Sequence, residues 1–135
     1  MDVTQNTVQL LILMIGDSRY GIDIDQIAYL AKVDTDQTAV SFAELMAADS
    51  FLACNYSKML IVKQTRGLSV LICEPDEVMT CLVSDIRTLP DILMVSAKNR
   101  GVWGVLPQKR GVIILVDLYK NQLFKGLSNP IDHQI

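Results

Sequence analysis

Thr7-Val8-Gln9-Leu10-Leu11-Ile12-Leu13-Met14-Ile15, then Gly16-Asp17-Ser18-Arg19, then Tyr20-Gly21-Ile22-Asp23-Ile24, sets the architecture of this chain. The first run is apolar and rich in β-branched side chains, the composition of a strand. The middle residues are turn formers, and the last run alternates in polarity as a half-buried strand does. The unit is a β-hairpin, and it returns twice. Met59 to Val62 leads through Thr65-Arg66-Gly67 into Leu68 to Cys73, and Val102 to Leu106 leads through Pro107 to Gly111 into Val112 to Val116. Hairpins with glycine in their turns, repeated along the chain, predict a mostly β fold.

The segments downstream of the hairpins also rhyme. Asp25-Gln26-Ile27-Ala28-Tyr29-Leu30 comes after the first and Asp76-Glu77-Val78-Met79-Thr80-Cys81-Leu82 after the second. Each predicts a short helical turn or a further strand. Ala39-Val40-Ser41-Phe42-Ala43-Glu44-Leu45 and Val112-Ile113-Ile114-Leu115-Val116-Asp117-Leu118 then match as strands that end in an acid and a leucine. An acid there suits a helix N-terminus, whose free N–H groups and dipole favour it. Asp117 to Leu127 predicts a C-terminal helix with Leu118, Leu123 and Phe124 roughly along one face and Gly126 as its stop.

The chain therefore reads as a single domain over 1–135 made of a duplicated β-unit. Subdomain 1 spans approximately 7–53, subdomain 2 approximately 57–127, and 128–135 is a flexible tail. In the second unit a full hairpin precedes the closing acid-Leu. The first reaches the same point across only Asp34-Thr35-Asp36-Gln37, so subdomain 1 lacks a strand. The open edge falls at Thr38 to Phe42, which has neither the lysine nor the proline that usually blunts one.

Composition removes several functions. Half of the residues (50%) are hydrophobic, enough for a continuous core, and the net charge of −3 offers no basic face for nucleic acid. The longest apolar runs, Val8 to Ile15 and Val112 to Val116, fall short of a membrane helix, and no Lys or Arg precedes Arg19 as a secretory signal would require. The chain reads as cytoplasmic. His133 is the only histidine, and Cys54, Cys73 and Cys81 form no paired motif. These residues cannot close a metal site, so no cofactor and no metal is expected. The cysteines read as reduced packing residues, with stability insensitive to reducing agents.

The residues Ile15 to Ile27, with a strand, a Gly-containing turn, an aromatic and an Ile-x-Ile run, resemble the opening of CheW domains, the coupling proteins of bacterial chemotaxis. Met59 to Val78 resembles the family's paired strands, and Gly104 to Leu118 its closing hairpin with the Ile-Leu-Val-Asp-Leu ending. The resemblance spans about residues 8 to 123. It implies two small SH3-like β-barrel subdomains, here with the first lacking a strand, plus short helices and a C-terminal helix. Departures are local. Tyr29 stands where the family usually has an acid, and Ala31 to Val40 lacks its proline-rich loop and Arg-Gly strand end.

The resemblance also implies the biology: a non-catalytic adaptor in chemotaxis-like two-component signalling. Its partners would be a histidine kinase regulatory domain and, as a further candidate, a chemoreceptor cytoplasmic tip. A homodimer through the open edge of subdomain 1 is a third arrangement. No catalytic residue is expected, and no nucleic acid or membrane insertion. The residues marked for partner binding are Val40 and Phe42 on the open edge, Ile27 and Tyr29 after the first hairpin, and Val102, Trp103 and Val105 in the last. A lone tryptophan in a strand is usually core, but the glycines flanking Trp103 leave its face open, and tryptophan is enriched in binding hot spots. Asp23-Ile24-Asp25 and Glu74-Pro75-Asp76-Glu77 read as solvated turn and cap residues. The alternative function is a β-barrel sensor of a small molecule, lined by Met14, Met46, Met59, Met79 and Met94.

Overall fold

Leu10, Leu11, Ile12 and Leu13 are all buried, which a strand achieves only when both of its faces are covered. The computed structural model describes residues 6–33, 39–47, 56–65, 68–91 and 97–128. Its strands are β1 (Thr7–Ile15), β2 (Ser18–Asp23), β3 (Ile27–Lys32), β4 (Ala39–Ser41), β5 (Lys58–Val62), β6 (Ser69–Ile72), β7 (Glu77–Leu82), β8 (Val102–Gln108) and β9 (Gly111–Val116). The helices include α1 (Phe42–Leu45) and α2 (Gln122–Ser128), with 3-10 turns at Ile24–Gln26, Val83–Asp85 and Leu118–Lys120. The three predicted hairpins are the antiparallel pairs β1–β2, β5–β6 and β8–β9.

Two sheets result: a five-stranded one in the order β7-β1-β2-β9-β8 and a four-stranded one in the order β3-β5-β6-β4. They share a plan. In each a central hairpin is flanked by an antiparallel strand on one side and a parallel strand on the other. The five-stranded sheet has β8 in addition; among the described residues no strand lies in the matching place beyond β4. The units are nevertheless not consecutive in sequence. The hairpin β1–β2 is completed by β7, β9 and β8, while β5–β6 is completed by β3 and β4. A boundary between 53 and 57 divides the sequence repeat; each sheet takes strands from both sides of it.

The two faces of β1 serve two cores. Leu10 and Ile12 join Leu106, Ile113 and Leu115 inside the curled five-stranded sheet. Leu11, Leu13 and Ile15 join Ile22, Leu60, Val70, Phe42 and Phe124 in the core shared by the sheets. The curl brings Arg87, downstream of β7, onto the far edge strand β8. There its N–H donates to the Val105 carbonyl (2.8 Å) and its carbonyl accepts from the Val105 N–H (2.9 Å). Gly104 permits this approach, since a Cβ there would lie 2.9 Å from Ile86 and 3.0 Å from the Arg87 carbonyl. That glycine thus admits a neighbouring backbone; it does not open a face around Trp103.

The C-terminal segment departs from the single helix read in the sequence. Asp117 does cap, accepting from the Tyr119 N–H, but it caps the 3-10 turn Leu118–Lys120, which ends at Asn121 before α2 begins. The break shifts the helical phase. Leu118 and Phe124 are buried, and Leu123 is 46% exposed. In the matching segment the cap is Ser41, and Glu44 closes a capping box by bonding back to the Ser41 backbone.

Cys73 is a second departure. It is disulfide-bonded, and Cys81 is the free thiol among the described residues. A disulfide also runs against the reduced state usual in cytoplasm. The connection Asp34 to Gln37 lies outside the described residues.

Candidate functional site

Val105 and Ile114 are cross-strand neighbours on the outer face of β8 and β9, where they floor a groove of about 340 Å³. Local backbone geometry puts them there. The register of β8 against β9 slips between Val102 and Gly104, a bulge that turns Val102 and Val105 to one side and Trp103 outward. Tyr20, Met46, Arg100 and Val112 complete the walls. Tyr20 packs edge-on against Phe42, ring centroids 5.3 Å apart at 82°, so the groove rests directly on the shared core. Burial pushes the Tyr20 phenol up from its ordinary range, and the positive Arg100 nearby pulls it partly back. The phenol is neutral at physiological pH, and the wall it forms is mostly apolar.

Two amides hold the groove's walls in place. Asn121 is 1% exposed. Its Nδ2 donates to the carbonyls of Leu45 (2.8 Å) and Arg100 (2.9 Å), and its Oδ1 accepts from the Phe124 N–H (3.0 Å). It therefore ties the end of α1, the approach to β8 and the start of α2 together. Gln26 makes a similar link: its Nε2 donates to Asp117 Oδ1 (2.7 Å), and its Oε1 accepts from the Leu118 N–H (3.0 Å). Arg100 Nη1 donates to the Met46 carbonyl at 3.3 Å. Gly101, at φ +84°, sits where a Cβ would come within 2.4 Å of the Asp117 carbonyl.

A second surface is the edge strand β3. Tyr29 is 58% exposed, and Leu30 and Val33 are exposed beside it. Its pairing with β5 slips between Ile27 and Tyr29, and its other side pairs with no strand among the described residues. The opposite edge, β4, is three residues long, and its Ser41 N–H is taken by Glu44 Oε1 at 3.0 Å. Shortness and capping blunt that edge in place of lysine or proline.

The residues marked from sequence are dispersed over these surfaces. Val40 and Phe42 lie in the shared core, as does Val102 at the groove's base. Their side chains are buried there, at 6%, 2% and 9% exposure in turn. Ile27 is half-buried against the same core. Tyr29 stands on β3, Val105 in the groove, and Trp103 at one end of the five-stranded sheet, 41% exposed. Only Val102 and Val105 are brought together. Sequence reading did not mark Tyr20, Arg100 or Val112 and gave Met46 only as lining of the alternative sensor barrel, since each belongs to a different element. The one usable signal was Val112, an apolar residue directly after a turn glycine.

The acidic groupings act as turns and caps. Asp23 Oδ1 accepts from the Asp25 N–H (2.9 Å), Glu74 accepts from Ser57 Oγ (3.2 Å), and Glu77 and Asp76 pair with Arg19 at 2.8 and 3.6 Å. Of the methionines, Met46 and Met59 are buried packing and Met14 is 40% exposed; Met94 lies outside the described residues. The cavity lined by Leu13, Phe42, Ile72 and Cys73 holds about 20 Å³, space for one water and no metabolite.

No family model matches the sequence, and no curated protein does. Among solved structures, the chain is similar to the scaffolding protein TtCheW from Thermoanaerobacter tengcongensis. The TM-score is 0.65 at 12% identity, over 82% of this chain and 89% of that one. Two packed β-sheets, one curled into a half-barrel, with short helices and this structural likeness, make the fold of this chain CheW-like.

Proposed function

We propose that this chain is a non-catalytic adaptor in chemotaxis-like two-component signalling, docking to a histidine kinase regulatory domain. The observations that carry the reading are the open edge of β3, with Tyr29 and Leu30 exposed on it, and the apolar groove over Val105 and Ile114, in a fold shared with a scaffolding protein. Such a groove accepts an amphipathic helix or a partner's loop through burial of apolar area, with no reactive side chain required. The β3 edge supplies a second mode, addition of a strand by backbone hydrogen bonds. A chemoreceptor cytoplasmic tip, being helical, is the candidate for the groove; a kinase regulatory domain of the same β architecture suits the edge. A homodimer through β4 would have only three residues to pair, which favours β3 as the pairing edge.

That role implies a cytoplasmic location, with the Cys73 disulfide as an exception to the reduced state usual there, and no helix among the described residues is long and apolar enough to cross a membrane. The sensor reading is not favoured, because the core cavity is too small for a metabolite. The experiment is titration calorimetry of the chain against regulatory domains of histidine kinases from the same genome. Binding that Leu30→Glu weakens tenfold or more, with an unchanged melting curve, supports the reading. Absence of binding to every kinase domain and receptor tip tested would overturn it.

A further inference from the structure

Six elements meet at one mouth of the half-barrel: the start of β1, the end of β2 and the 3-10 turn after it, the end of β7 and the 3-10 turn after it, and the start of β8. They enclose an open groove of about 540 Å³. Its chemistry is concentrated in Trp103, Asp23 and Asp25. Asp25 is exposed, and Asp23 already caps the turn. Among the described residues no Lys or Arg forms an ion pair with either; Arg19 is held by Asp76 and Glu77. An exposed indole beside two carboxylates attracts a cationic side chain twice over, by charge and through the ring face.

The opposite end of the same strand carries the complement. Gln108 pairs with Gly111, so Lys109 and Arg110 form the tip of the β8–β9 hairpin. Gly111 at φ +94° follows them, and neither of the two has a positive φ, the signature of a type I turn closed by a glycine bulge. The tip is exposed from Pro107 to Val112, and a Cβ at Gly111 would touch nothing within 4 Å. One acid, Asp17, lies on the neighbouring β1–β2 turn; Asp76 and Glu77 at this end are held by Arg19. From Trp103 to Lys109 the strand rises about 20 Å, so the tip cannot reach the groove of its own chain.

We propose that the Lys109-Arg110 tip of one copy docks in the Trp103–Asp23–Asp25 groove of another, joining copies head to tail along the strand axis. The contact is heterologous, one patch meeting a different one, and so extends beyond a dimer unless rotation closes it. It does not depend on the adaptor reading and uses neither the apolar groove nor the β3 edge.

Sedimentation velocity of the full chain tests it over a concentration series at low and high ionic strength. Concentration-dependent association that dissolves in salt is expected. Asp25→Lys, Trp103→Ala and the pair Lys109→Glu with Arg110→Glu should each weaken it by roughly tenfold or more. These residues are exposed, and a melting curve shows whether each variant is folded. The decisive step is mixing. Asp25→Lys keeps an intact tip and the double glutamate variant an intact groove, so together they should form a 1:1 dimer that grows no further. A monomer throughout at low ionic strength, association indifferent to salt, or a mixture as inert as its parts would each overturn the proposal. Association surviving all three variants would move the contact to another surface and overturn it equally.

Discussion

Asn121→Ala removes one side-chain amide and strands three backbone groups. The carbonyls of Leu45 and Arg100 lose their donor, and the Phe124 N–H loses its acceptor. The site is 1% exposed, so water does not replace the amide without rearrangement. A buried polar group left unpaired costs about 1–3 kcal/mol, and loss of a cap alone costs about 1 kcal/mol. With partial relaxation, the sum is about 3–5 kcal/mol, against a total stability on the order of 5–15 kcal/mol for a domain. Urea unfolding monitored by circular dichroism measures it, with the slope expected to stay constant and the midpoint to fall. Asn121→Asp sharpens the test. It keeps the capping oxygen but sets a carboxylate against two carbonyls, so it should destabilise at neutral pH at least as much as alanine. Acid should restore part of the loss, because the protonated carboxyl regains one donor. A loss below about 0.5 kcal/mol for alanine, the usual range of a surface substitution, would refute the account. So would an aspartate variant as stable as the parent at neutral pH.

The phase shift at Asn121 predicts that Leu118→Ala costs about 2–5 kcal/mol, while Leu123→Ala, on the exposed side, stays within about 0.5 kcal/mol; chemical denaturation of the two reads the difference. Gly101→Ala forces a side chain into a left-handed backbone against the Asp117 carbonyl, so it should cost roughly 1–3 kcal/mol or more and lower the melting temperature. Burial, foremost, raises the phenols of Tyr20 and Tyr119 above the ordinary value of 10.0, with Asp117 adding to the second. Their folded pKa exceeds the unfolded one, so this contribution is complete below pH 10.0 and lost as pH climbs through the raised values. The share of the phenolate absorbance that Tyr20→Phe or Tyr119→Phe removes should rise at higher pH in the folded protein than in the unfolded one.

The hairpins were legible because local chemistry specifies them: alternation, β-branched runs and turn glycines act over a few residues. The unequal repeat was legible for the same reason, since a connection of four residues has no room for a strand. Partner choice between strands was not. Nothing local in Arg19 to Ile22 announces that it will lie parallel to Ile113 to Val116; that depends on which apolar faces remain to be covered. Asn121 looked like one more polar residue on a helix, and its role depends on two carbonyls at Leu45 and Arg100 that only the fold brings near. The groove is invisible for a similar reason. Its walls are single residues from separate elements, and the bulge that turns Val102 and Val105 to one side leaves no mark on a polarity pattern.

The exchange of strands between the two sheets has a consequence for how the chain comes into being. β2 pairs with β9, Arg19 facing Ile113, so the five-stranded sheet closes a loop that takes in more than half of the chain. Closure of long loops is slow, and folds dominated by distant pairings fold in milliseconds to seconds. During synthesis the first hairpin leaves the ribosome long before β7 or β9 exists. Leu10 to Leu13, destined for burial on both faces, must wait in the open, an apolar strand with two bare sides and, on the side that β7 will take, a bare edge. For the newborn chain that segment is the foremost place for a chaperone to hold, and a cut anywhere between the sequence repeats would leave two fragments, neither able to complete a sheet.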